Sequence, residues 1–420
     1  MVINNEYKLD NGLVVALQNT PTKTVAVKLR VNYGSSYEKN GEEGLAHFLE
    51  HCLVTGGSLK YDPATADDIR GSFSNFNAST DIGRTNFIGQ MLSDDLIMWL
   101  DYIANHIFNP RFDKARFNGE KERVLREISD TKSNPNYKID TEYNNLFYRG
   151  HPKGRFNLGK EEVVKNATQE IIKKFHDRGY HPNNMDLIIV GGLPNNIEEV
   201  INNFFGLINK GINTRRDFPE LKPLTDKIIL HRSAPEIFNS NSPDDSPAQI
   251  FLNFLGPANG HENEYAVRIM NQILGGGTNS LLFKSLGLKK GLAYYSDIFY
   301  DGDYNYGVLG IKASVPAKRI DESIDTIFEE IKRMKTGKID DNYVERIKKM
   351  AKYHLAKAFE SNEGNLNFIE HKLDEELTPE SYIDRYNQVN ADKIMKVANK
   401  YLPDKENGRY ILCIRDQLLK

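Results

Sequence analysis

Along the chain, the spacing of apolar positions switches between a two-residue period and a three-to-four-residue period. Alternation flanks Asp10-Asn11-Gly12, a hairpin signal, and predicts a strand at Leu13-Val14-Val15-Ala16-Leu17 and another over Thr24 to Tyr33. From Leu45 the period lengthens. Leu45, Phe48, Leu49, Cys52 and Leu53 fall at i, i+3, i+4, i+7 and i+8, an amphipathic helix that Gly56-Gly57 ends. Strands are expected over Phe73 to Thr80 and Thr85 to Leu92, and helices over Asp94 to Phe108 and Asp113 to Asp130. A further helix from about Thr168 leads through Tyr180-His181-Pro182 into the apolar strand Leu187-Ile188-Ile189-Val190.

That ending recurs. Asn390-Ala391-Asp392 opens a helix, Tyr401-Leu402-Pro403 closes it, and Tyr410-Ile411-Leu412-Cys413 reads as a strand. The helix ending in Gly56-Gly57 has a similar echo in Tyr265 to Leu274, which ends in Gly275-Gly276. Both echoes lie about 220 residues from their counterparts, so the pattern predicts an α+β fold made by duplication of one unit. The expected division is 1–209, a linker at 210–227 carrying Arg215, Arg216, Pro219 and Pro223, and 228–420.

Composition narrows the classes of function. Lys+Arg 55 against Asp+Glu 58 gives a net charge of -3, so no whole-molecule field favours nucleic acid or anionic lipid, and neither is expected as a partner. No run approaches the roughly 20 apolar residues of a membrane span. The opening MVINNEYKLDNGL lacks a basic and an apolar targeting region, and Cys52 and Cys413 form no disulfide framework, so a cytoplasmic setting is expected.

The chemistry concentrates in His47-Phe48-Leu49-Glu50-His51. On a helix, His47 and His51 lie one turn apart on the face opposite the apolar stripe, with Glu50 beside them. Two imidazoles in that register grip one divalent ion, and the adjacent carboxylate stays free to take a proton from water. A catalytic zinc needs a third protein donor. Glu120 and Glu127, seven residues apart at the margin of the Phe117/Val124/Ile128 stripe, are the candidates; spacing alone does not choose between them.

The run Gly44-Leu45-Ala46-His47-Phe48-Leu49-Glu50-His51, with Glu120, Val124, Glu127 and Ile128 further on, resembles the insulinase-type (pitrilysin, M16) zinc peptidases, including the mitochondrial processing peptidase β subunit and its bacterial relatives. The resemblance continues through Asn77-Ala78-Ser79-Thr80, Tyr180-His181-Pro182-Asn183-Asn184-Met185, Gly275-Gly276-Gly277 and Gly291-Leu292-Ala293-Tyr294. It implies two similar α/β sandwich units, each a sheet covered by helices, in the LuxS/MPP-like metallopeptidase fold. It also implies one zinc held by His47, His51 and Glu127, with Glu50 as general base and Glu120 as a supporting acid. Asn77, Ala78 and Ser79 then belong to an edge strand to which an extended peptide adds.

In the second copy, Ala266, Ile269 and Met270 stand where His47, Glu50 and His51 stand in the first, so that half is expected to carry no metal. The resemblance implies that it supplies an arginine and a tyrosine for the oxyanion. Tyr294 occupies the tyrosine position but Gly287 the arginine position, leaving Lys289 or Lys290 as substitutes. The reading is a zinc endopeptidase acting on extended peptides or unfolded segments in a clamshell homo- or heterodimer. An alternative is a subunit active only with, or chiefly recognising, a homologous partner that supplies the arginine. His176 and His181 are expected to pack or cap, and Arg346, Lys348, Lys349 and Lys352 to form a solvated face.

Overall fold

The period-two segments form sheets and the longer-period segments cover them. The structure is a computed structural model describing residues 5–212, 220–234, 247–293, 295–303 and 305–419. In chain order the elements run β1 (Asn5–Lys8), β2 (Val14–Asn19), β3 (Thr24–Val31), α1 (Leu45–Thr55), α2 (Pro63–Ser72), β4 (Asn75–Thr80), β5 (Thr85–Leu92), α3 (Leu96–Phe108), α4 (Lys114–Ser133), α5 (Tyr137–Tyr148), α6 (Glu161–Asn166), α7 (Gln169–Gly179), β6 (Met185–Gly191) and α8 (Ile197–Ile201). They continue with β7 (Ile228–Ser233), β8 (Pro247–Gly256), α9 (Glu264–Gly275), β9 (Tyr295–Gly302), β10 (Gly307–Pro316), α10 (Ile320–Thr336), α11 (Asp341–Ala358), α12 (Asn362–Glu375), α13 (Pro379–Asn387), α14 (Ala391–Tyr401) and β11 (Ile411–Asp416).

Two compact units result. One comprises Met1–Ser133, Arg155–Asp217 and Ala356–Glu376; the other comprises Asn134–Gly154, Phe218–Leu355 and Leu377–Lys420. The first has a sheet in the order β1-β2-β6-β3-β5-β4, the second a sheet in the order β7-β11-β8-β10-β9. Leaving out β1, the orders correspond strand for strand. In each, the first pair is parallel (β2/β6, β7/β11) and the remaining pairs are antiparallel. The chain is a tandem duplication of an α+β unit.

The run Leu187-Ile188-Ile189-Val190 of β6 is apolar without alternation because the strand lies inside its sheet and is buried along its whole length. One face of that sheet is covered by α12, whose Leu366 and Ile369 pack on Ala16, Ala26, Ile188 and Val190. Beneath α12 runs an ionic cluster. Arg30, only 1% exposed, donates through Nη2 to Asp186 at 2.9 Å and through Nη1 to Asp374 at 3.2 Å. Arg84 meets both oxygens of Asp374 at 2.7 Å, and Lys28 pairs with Glu370 at 2.6 Å. In the second unit, α5 closes a smaller core of Ile139, Phe147 and Tyr148 on Leu230, Val308 and Ile411.

The expected solvated face at 346–352 needs one correction. Lys348 is buried, and its ammonium donates to Glu345 at 2.8 Å and to the Asn387 carbonyl in the last turn of α13 at 3.3 Å. The alkyl stem is covered while the charge finds acceptors, which helical spacing alone does not reveal. Among the described residues, no helix is long and apolar enough to cross a membrane.

Candidate metal centre

Helix α1 is flanked by Gly44, whose φ of 105° suits glycine, and by Gly56, followed by Gly57 at φ 71°. Its stripe of Leu45, Phe48, Leu49, Cys52 and Leu53 is buried. Phe48 meets Phe117 of α4 with ring centroids 5.0 Å apart, and Phe117, Val124 and Ile128 are buried on the inner side of α4. This packing carries Glu120 and Glu127 to the histidines of α1.

Three donor atoms converge. His47 Nε2 and His51 Nε2 are 3.2 Å apart, and Glu127 Oε2 lies 3.8 Å from the first and 3.7 Å from the second. A point equidistant from all three is about 2.1 Å from each, the length of zinc bonds to imidazole nitrogen and carboxylate oxygen, so the residues fit the ion. Among the described residues, this is the one group of three or more His, Cys, Asp or Glu side chains whose donor atoms meet closely enough to hold a metal. Burial, then the neighbouring charges of His51 and Arg123, push His47 down to about 4, so the ring is neutral at pH 7 and its lone pair is available.

Glu120 stands behind this triangle. Its Oε2 is 2.8 Å from His51 Nδ1, which places the ring proton on Nδ1 and leaves Nε2 as the donor to a metal. Burial opposes ionisation of Glu120, but the His51 hydrogen bond and the charges of His51 and Arg123 outweigh it and hold the carboxyl below its usual range. Replacing Glu120 with alanine is expected to weaken zinc binding by roughly 10- to 100-fold without unfolding the protein, as read by competition with a zinc-responsive chelator.

Glu50 is 7% exposed, and its Oε2 accepts a hydrogen bond from Thr80 Oγ1 at 2.7 Å. Burial raises its pKa, partly opposed by Thr80 and His51, which moves the carboxylate toward the range of a working general base. Thr80 ends β4, the outer strand of its sheet, which among the described residues pairs with β5 alone. Asn77, Ala78 and Ser79 all lie on this edge. The Ala78 amide donates to the Asn77 side-chain oxygen at 3.0 Å.

Tyr294 lies outside the described residues. Gly287 sits in a wide helical turn at 283–289. Lys290 is engaged by Thr326 at 2.9 Å and Glu329 at 3.2 Å, whereas the Lys289 side chain makes no hydrogen bond or ion pair among the described residues. Ala266, Ile269 and Met270 are buried core residues of α9. His176 packs on Tyr180 and bonds the Ile107 carbonyl at 2.8 Å, and His181 bonds the Asp177 carbonyl at 2.8 Å.

Two residues escaped the sequence reading in their roles. Thr80 was visible only as part of a strand, yet it orients Glu50. Arg123, one turn before Glu127, lies 3.5 Å from Glu127 Oε1 and 3.8 Å from Glu120. An i, i+4 charge pair was the available signal for Arg123.

Residues 13–160 match the family described as Insulinase (Peptidase family M16), and residues 166–351 match that described as Peptidase M16 inactive domain. The chain belongs to the M16 peptidase family. It is 25% identical over 399 residues to YmxG of Bacillus subtilis, an "Uncharacterized zinc protease", with 94% of each chain covered. It is 24% identical over 415 residues to the probable mitochondrial-processing peptidase subunit beta of Arabidopsis thaliana, covering 95% of this chain and 76% of that one. Among solved structures, a protease from Helicobacter pylori shares the fold with a TM-score of 0.83 at 22% identity, covering 98% of this chain and 99% of that one. The periplasmic protease PqqL of Escherichia coli gives a TM-score of 0.81 at 15% identity, covering 98% of this chain and 47% of PqqL.

Proposed function

We propose that the protein is a zinc-dependent endopeptidase that hydrolyses extended peptides or unfolded polypeptide segments, with one zinc per chain held by His47, His51 and Glu127. The observation that carries this reading is the meeting of His47 Nε2, His51 Nε2 and Glu127 Oε2 beside a buried glutamate that is not among the three donors. When bound, zinc supplies a Lewis acid that polarises the scissile carbonyl and acidifies water. Glu50 takes a proton from the attacking water and returns it to the leaving amine, while Thr80 holds its carboxylate in place. The open edge of β4 around Asn77, Ala78 and Ser79 pairs with substrate backbone, which favours extended segments over folded ones. Tyr294 is assigned to the oxyanion.

The proposal includes pairing with a second M16-like chain, identical or homologous. The arginine that the family resemblance implies is absent at Gly287, and Lys290 is committed to Thr326 and Glu329, which leaves Lys289 or a partner's arginine to serve. This chain's fold also matches the first half of PqqL, with a TM-score of 0.80. The test is chromatographic mass, zinc content and cleavage of a quenched unstructured peptide, all on the same fractions. Cleavage that tracks a dimer and is lost with chelator supports the reading. Full activity in a monomer overturns the pairing, and zinc-independent cleavage overturns the zinc assignment.

A further inference from the structure

The first turn of a helix is where backbone amides lack intrahelical partners and fraying starts. His47 is the third residue of α1, whereas His51 lies mid-helix, so the position of His47 Nε2 depends on how that turn is fixed. Gly44 offers no side-chain cap. The acceptor comes instead from six residues upstream, where Glu38 Oε1 accepts from the amides of Gly44 and Ala46, each at 2.9 Å. Glu38 is 6% exposed, and burial pushes its pKa up to about 8 against the opposing pull of the Ala46 and Gly44 amides, so the carboxyl acts here as a hydrogen-bond acceptor rather than as a charge.

The segment bearing Glu38 is itself anchored. Ser35 and Ser36 donate their amides to Asp81 and Ile82, in the turn between β4 and β5 just after Thr80. A side chain at Gly34 would lie 2.3 Å from the Asp81 carbonyl, so that approach requires glycine. From the other side, the Lys160 amide bonds the Glu43 carbonyl at 3.0 Å, and a Cβ on Gly159 would meet Gly44 Cα at 2.1 Å.

We propose that Glu38 is a positioning residue for the metal centre: by accepting the Gly44 and Ala46 amides, it locks the first turn of α1 and so fixes His47 against His51 and Glu127. This rests on the zinc reading above. It makes no use of Glu38 as a ligand or base, and nothing else in the chemistry engages this carboxyl.

The test compares Glu38→Gln, Glu38→Asp and Glu38→Leu in the full chain, reading amide hydrogen exchange of the metal-free protein and zinc affinity. Gln keeps the carbonyl acceptor and is expected to stay within about threefold of wild type in both readouts. Asp is too short to reach, and Leu has no acceptor. Both are expected to raise exchange at Gly44 and Ala46 by about tenfold or more while β6 stays protected, and to weaken zinc binding by about tenfold or more. Folded Asp and Leu variants with unchanged protection at Gly44 and Ala46, or with wild-type zinc affinity, would overturn the proposal. A wild type that binds no zinc defeats the metal reading instead, and the exchange arm still decides whether Glu38 locks the turn.

Discussion

Glu50→Gln is expected to keep zinc bound at wild-type stoichiometry and to lower peptide cleavage by about a thousandfold. Glutamine preserves volume and can still accept the Thr80 hydrogen bond, so α1 and β4 keep their relation. It cannot take up a proton. Glu50 is not one of the three converging donors, so its loss leaves the metal in place, whereas His47→Ala removes metal and activity together. The comparison is made by metal analysis and by initial rates on a quenched peptide. Wild-type cleavage by Glu50→Gln would remove the assigned base, and loss of zinc would make Glu50 a ligand.

Asp374→Ala is expected to destabilise the first unit by about 3 kcal/mol and to lower its thermal transition by roughly 10 °C, measured by calorimetry. Asp374 joins Arg30 and Arg84, and its removal leaves a buried guanidinium short of an acceptor and frees the turn after Thr80. Burial opposes ionisation of Asp374, but the hydrogen bond from Arg84 and the charges of Arg30 and Arg84 prevail and hold its pKa below the usual aspartate value. A depressed carboxyl contributes stability above its unfolded pKa and loses it as pH falls through the lower folded value. The contribution therefore persists at neutral pH and fades below about pH 4. The exposed Glu122→Ala, in the same unit, serves as the comparison that leaves the transition in place.

The legible part of the fold was the part written in local period. The stripe of α1, the apolar run of β6 and the repeated helix-to-strand ending sufficed for a duplicated α+β unit, and the histidine pentad placed two donors on one face. The exchange of α5 and α12 between the two units left no local mark, because which sheet a helix covers is a long-range matter. Lys28 and Arg30 illustrate the gap: they alternate with apolar residues along β3, and acids that they pair with, Glu370 and Asp374, stand on α12, more than 330 residues away. Likewise, Glu38 and Thr80 act through tertiary contacts with α1, for which the sequence holds no spacing rule.

Two imidazoles of α1 and the Glu127 carboxylate are proposed to share one cation. Equilibrium dialysis against zinc, run on the wild type and on Glu127→Ala, tests it directly. One tight site is expected in the wild type, weakened by about a hundredfold or more in the variant. No tight site in the wild type, or the same affinity in both, would contradict it.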